Sequence, residues 1–248
     1  MKALLDAYRA ELIQEINAID ENEFAKAIDI LLDVYKNDRQ VFIAGNGGSA
    51  GTANHFVCDF GKNAVQGGKR RFRIHSVCDN IEVVTALGND IAFDQIFRFQ
   101  LENQMRPGDA LIVISASGNS PDLVQACEYA KEIGGRIIAL SGFGGGKICS
   151  GAEASLATPM RSYERIEDLH LILLHMFVCW FKANQDKLED IADGKVKLNG
   201  EEFKDKSQGA FANQFYKSAL GIELNLPATI KEMQEGLQQK YPAISRHF

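Results

Sequence analysis

Four residues in two distant stretches carry the makings of proton-transfer chemistry. His55 and Asp59, in "NHFVCDF", stand at i and i+4, so on a helix they share a face. Glu167 and His175, in "RIEDLHLILLH", are eight positions apart, which on a helix is about 80° around the axis and therefore the same side. Two acids and two imidazoles facing one another across a pocket can take a proton from beside a carbonyl and return one to the neighbouring carbon. Each histidine alone also fits a structural role: His175 lies in an apolar helix, where a satisfied core imidazole is common, and His55 fits a cap on a neighbouring turn. His75, His170 and His247 receive no role.

Two loops could hold the substrate's far end. In "VFIAGNGGSAG" a β-rich run breaks into Gly45-Asn46-Gly47-Gly48-Ser49, where glycines allow a ligand close to the backbone and Ser49 is placed to cap the helix carrying His55. In "SASGNSPDL" Ser120 stands as N-cap with Pro121 at N1, and Ser115 and Ser117 precede it, so hydroxyls and free N–H groups converge on a helix N-terminus. That is an anion site. Glycine and a capping serine also occur in such loops for structural reasons alone, but two of them in one sheet point to a ligand. Neither loop is a GxGxxG or GxxxxGK[ST] pattern, so no nucleotide cofactor is expected, and a serine-rich cradle without a lysine suits a single phosphate monoester.

These groups need a scaffold, and the alternation of patterns supplies one. Apolar positions at helical spacing over residues 2 to 36, broken at "DENE", predict two antiparallel helices. Five short β-rich runs follow, "QVFIAG", "FRIHSV", "DALIVIS", "GRIIALS" and "ASLATP", separated by segments long enough for crossover helices. The implied fold class is α/β, with a mostly parallel sheet covered on both faces and ligands at the carboxyl ends of its strands. A long helix is expected over residues 162 to 184. Residues 1–184 are thus one domain with an N-terminal helical hairpin. Residues 185–248, charged and turn-rich around Asn199-Gly200, with helical spacing again at Phe211, Phe215 and Ile230 to Tyr241, form an appended C-terminal segment.

Bulk properties narrow the partners. A chain of 248 residues, 46% hydrophobic, buries one large core. The net charge of −6 argues against nucleic acid or an anionic membrane, and the stretch Lys69-Arg70-Arg71-Phe72-Arg73 reads as a solvated strand entry. Five scattered cysteines without CxxC suggest neither zinc knuckle nor disulfide framework, but small buried hydrophobes in a reducing compartment. The amphipathic start is not a signal peptide, and "LHLILLHMFVCWF" is too short to span a bilayer. A cytoplasmic location is expected.

Five motifs, "GNGGSA", "GNDIAFDQIF", "SASGNS", "SGFGGGK" and "RIEDLHLILLH", in this order and spacing, resemble the sugar isomerase (SIS) domain, and within it the bacterial phosphoheptose isomerases, over roughly residues 1 to 184. The resemblance implies a five-stranded parallel sheet in a flavodoxin-like three-layer arrangement, a homotetramer, and conversion of sedoheptulose 7-phosphate to D-glycero-D-manno-heptose 7-phosphate through an enediol. It implies phosphate held by Ser49, Ser115, Ser117 and Ser120, with Asn46, Asn89 and Asp90 near the sugar and Gly47 also among the substrate-binding positions. Asp59 and His175 match the family's base and acid, and His55, Asp59, Glu167 and His175 match positions that also ligate zinc, Glu167 being near the substrate as well. The chain departs from the family pattern at Asp59, where glutamate is usual, at Glu167 (glutamine) and at Ala116 (a hydroxyl residue). Shortening an acid by one methylene moves its oxygens by over an ångström, a misplacement that can cost on the order of 100-fold in rate. The added charge at Glu167 would strengthen a divalent site. Two other readings stay open: a noncatalytic SIS adaptor regulating replication initiation, which tends to lose the last histidine, and an SIS isomerase of a different sugar phosphate.

Overall fold

The computed structural model describes residues 1–196, so the expected turn at Asn199-Gly200 and the helical spacing beyond Phe211 lie outside the described residues. The elements run α1 (Lys2–Asn17), α2 (Glu21–Lys36), β1 (Gln40–Gly45), α3 (Gly48–Asn63), β2 (Arg73–Ser76), α4 (Ile81–Asp90), α5 (Ile96–Gln104), β3 (Ala110–Ser115), α6 (Pro121–Glu132), β4 (Arg136–Ser141), β5 (Ala154–Ala157), α7 (Tyr163–Asn184) and α8 (Leu188–Ala192). All five expected strands form. They pair in parallel in the order β2-β1-β3-β4-β5. The chain therefore leaves β1 toward one edge and resumes with β3 on its other side, which opens a crevice beyond Gly45 and Ser115, the place where such sheets bind ligands.

Alternation along the strands divides the core. Val41 and Ile43 of β1, with Ile112 and Ile114 of β3, face a layer built from α2, α3 and α7. Phe42 and Ala44, with Leu111 and Val113, face α4, α5 and α6. Every residue of β3 is buried, as expected of a central parallel strand whose two faces are both covered. Each such Val, Leu, Ile or Phe contributes about 1.5–3 kcal/mol.

The seam between α3 and α7 matters most for the site. Phe56 and Phe60 on α3 are fully buried; Phe60 meets Phe181 of α7 edge-on, ring centroids 5.4 Å apart, and Phe72 closes the cluster at 4.5 Å from Phe60. His55 and Asp59 each precede one of these phenylalanines, so burying the aromatic edge of α3 turns the polar pair along the flank of the seam.

The two N-terminal helices are present, and Asp20 starts the second by accepting from the backbone of Asn22 (2.8 Å) and Glu23 (3.2 Å). While α2 covers the sheet, α1 is held to α7, by the Tyr8 hydroxyl on the Asp168 carboxylate and by Glu11 on Arg165 at 2.7 Å. Past α7 the described chain keeps to the main domain. Leu188 is buried and Ile191 packs on the same cluster, and Lys36 pairs with Asp193 at 2.7 Å.

Candidate active site

The first loop turns on Gly47, which takes the N-cap of α3 with φ +53°, a conformation that favours glycine. Ser49 is not the cap expected from the sequence; it lies in the first helical turn, buried, with its backbone N–H on the Asn46 carbonyl at 2.9 Å. A glycine able to enter the left-handed region makes the turn by itself and leaves a side-chain cap unnecessary. Asn46, half-buried, donates from Nδ2 to the Asp122 carboxylate at 2.7 Å, a bond that ties the first loop to the second.

In the second loop the hydroxyls converge as expected. Ser115 Oγ stands 3.5 Å from Ser117 Oγ and 3.4 Å from Ser120 Oγ, and it accepts from Gly118 N at 3.1 Å. Ser120 occupies the N-cap position of α6 with Pro121 behind it, yet its hydroxyl faces Ser115 and makes no capping bond. Gly118 (φ +65°) lies against the loop after β4: a Cβ there would come within 2.6 Å of the Gly145 carbonyl oxygen. Ile148 N donates to the Gly118 carbonyl and Lys147 N to Asn119 Oδ1, both at 3.1 Å. The "SGFGGGK" stretch is thus the bed on which the serine loop rests.

His55, Asp59 and His175 meet. His55 Nε2 is 3.2 Å from Asp59 Oδ2 and 3.1 Å from His175 Nε2, and His175 Nε2 is 3.4 Å from the same carboxylate oxygen. One ligand atom from each lies within 4.8 Å of the others. Two imidazole nitrogens and a carboxylate oxygen at one point suit the three protein ligands of a catalytic zinc with a position left open, and equally suit a relay for one proton.

Glu167 does not join that group. Its carboxylate lies against Gly48, where a Cβ would approach its Cδ to 2.7 Å. The two-turn separation from His175 is about 12 Å along the axis, so sharing a side of α7 is not enough; the two side chains must also lean toward each other, and Glu167 leans to the first loop. Contacts Gly48–Glu167 and His55–His175 show that α3 and α7 run side by side in the same direction. Asn89 and Asp90, at the C-terminal end of α4, are exposed and bonded to each other at 2.7 Å; neither bonds another candidate residue among those described.

The chain matches the SIS domain family over residues 7–142. It is 36% identical over 177 residues to the phosphoheptose isomerase of Citrifermentans bemidjiense, spanning 71% of this chain and 91% of that one. The chain belongs to the SIS domain family, among its phosphoheptose isomerases. The Campylobacter concisus relative is 31% identical over 71% of this chain and 91% of its own. Among solved structures, the phosphoheptose isomerase of Neisseria gonorrhoeae superposes with a TM-score of 0.66 at 29% identity, covering 73% of this chain and 97% of that one. That of Francisella tularensis gives 0.68 at 24%, covering 73% and 95%, and bears on the fold.

For an SIS domain isomerase the expected fold and family therefore stand. One group was missed from the sequence: Asp122, buried at the second position of α6. An acid just inside a helix start was a usable signal.

Proposed function

We propose that this protein interconverts sedoheptulose 7-phosphate and D-glycero-D-manno-heptose 7-phosphate through an enediol. The observation that carries the reading is the meeting of His55, Asp59 and His175 two turns along α3 from the first anion loop, about 10 Å from Gly48 to His55. A seven-carbon chain seated by its terminal phosphate spans such a gap and brings its first two carbons to the imidazoles.

In this reading the hydroxyls of Ser49, Ser115, Ser117 and Ser120 and the open backbone at Gly47 take the phosphate. Asn46, Asn89, Asp90 and Glu167 contact the sugar. Asp59 removes the proton from C1 of the ketose, and His175 returns one at C2. His55, Asp59 and His175 would hold one zinc ion per subunit, which supplies a Lewis acid for the carbonyl. A group ligating the ion is not free to carry a proton, so the zinc and the proton-transfer duties of Asp59 and His175 are alternatives that metal content decides: elemental analysis of wild type beside His55→Ala and His175→Ala finds about one zinc per chain, lost in both variants, if the ion is held, and none if these side chains move the proton themselves. Fully active metal-free protein would remove the ion from the proposal.

The test of the reaction is NMR in deuterated water with a panel of ketose and aldose phosphates. Deuterium entering beside the carbonyl of sedoheptulose 7-phosphate is the expected result. No exchange with any member would sink the enzymatic reading in favour of an adaptor. We further assign a homotetramer in the cytoplasm. Exposed Leu4, Leu5 and Ile13 on α1, and Ile91 and Phe93 beyond α4, support self-association, and light scattering at the mass of a monomer would remove it. None of the described helices is long and apolar enough to cross a membrane. Residues 1–184 are assigned as the SIS domain and 185–248 as an appended segment, whose first residues pack on that domain through Leu188 and Ile191.

A further inference from the structure

Asp122 is buried, 2% exposed as a residue. Its carboxylate accepts from Asn46 Nδ2 at 2.7 Å and is approached by the backbone N–H groups of Asp122 itself and Leu123. Burial raises its pKa, and these three donors oppose the rise. Two consequences follow from elementary hydrogen-bond chemistry. A carboxylate only accepts, so it fixes which way the Asn46 amide faces: the NH2 points to Asp122 and Oδ1 points away from it. The first turn of α6 also already has its anion, so a phosphate beside the serine loop has the hydroxyls and the loop N–H groups to itself, not that helix end.

We propose that Asp122 is a positioning residue for sugar recognition: it locks Asn46 with the amide oxygen toward the crevice at the β1–β3 switch, where that oxygen accepts a hydrogen bond from a hydroxyl of the sugar. The bond spans 76 residues of sequence, so the orientation of Asn46 is set by a residue outside its own loop. The proposal deepens the assigned isomerase reading and rests on it for the identity of the sugar. Asn46 reads the polyol and not the phosphate, and this separation gives the test.

Asp122→Ser keeps a polar group for the start of α6 but is too short to reach Asn46. Asp122→Asn keeps an oxygen that can accept from Asn46. Binding of sedoheptulose 7-phosphate and, separately, of inorganic phosphate is measured by calorimetry on wild type, both variants, Asn46→Ala and the Asn46→Ala/Asp122→Ser double variant, with melting temperatures as the folding control. Losing one well-aligned hydrogen bond predicts about tenfold weaker sugar phosphate binding for Asp122→Ser, unchanged phosphate binding, and a rise in KM with kcat within about twofold. Asp122→Asn should stay within about threefold of wild type. In the Asn46→Ala background, Asp122→Ser should add nothing. Equal loss for both ligands, or full additivity with Asn46→Ala, overturns the proposal and leaves Asp122 a helix-end residue. Should Asp122→Ser melt early, the well-folded Asp122→Asn decides alone: a tenfold loss of sugar phosphate binding there contradicts the assigned role. Turnover by wild type is scored separately, so a protein that binds sedoheptulose 7-phosphate without isomerising it fails the reaction and not the coupling between the two residues.

Discussion

At the scale of single residues, the histidine pair is the most exposed part of the proposal to experiment. His55→Ala or His175→Ala should lower isomerisation on the order of 100-fold to 10,000-fold, with little change in melting temperature, because both side chains are at least partly exposed; steady-state kinetics beside calorimetry checks both halves. Glu167→Gln should act in the opposite sense. Its carboxylate abuts Gly48 beside the first loop, so removing that charge relieves repulsion toward a phosphate and should lower KM about threefold at low salt, less at high salt. The meeting of His55, Asp59 and His175 was legible, since i and i+4 on one helix and an apolar partner helix leave few alternatives. The seat of Glu167 was not: periodicity gives the angle around an axis and is silent on which way a long side chain leans. Asp122 had a local signal as an acid inside a helix start, but its pairing with Asn46, 76 residues away, lay beyond any local pattern.

Among the elements, the three inner strands β1, β3 and β4 were the plainest to read, because a parallel strand covered on both faces writes itself as a short apolar run closed by glycine or serine, whereas the edge strands β2 and β5 are only partly buried and carry a weaker pattern. Helix starts were harder. Asp20 announces α2, whereas the start of α3 depends on Gly47 entering the left-handed region, which only the folded backbone displays. Two substitutions probe how elements hold the site. Phe60→Ala, at the heart of the α3–α7 aromatic cluster, should cost about 3–5 kcal/mol and shift the urea midpoint without changing the slope. Gly118→Ala forces a side chain at φ +65° into the Gly145 carbonyl, and should destabilise by about 1–3 kcal/mol while weakening binding of inorganic phosphate, since the serine loop is what moves.

For the molecule as a whole, acid stability hinges on a histidine far from solvent. His170 on α7 is fully buried, and burial pushes its pKa from 6.5 down to about 4, opposed only in part by the backbone of Ser141. Between those values the unfolded chain binds a proton that the folded chain refuses, so stability is full above about pH 6.5 and falls as the pH drops toward about 4, by about 3 kcal/mol at most. Urea midpoints at pH 7 and pH 4.5 should separate for wild type and draw together for His170→Leu. A larger consequence comes from the shared direction of α3 and α7, which touch at Gly48–Glu167 and again at His55–His175. On the proposed chemistry this pair of helices is a ruler: pentose and hexose phosphates, anchored by the same ester, stop short of the imidazoles. Such sugars are then rejected by length alone, with no group set aside to exclude them.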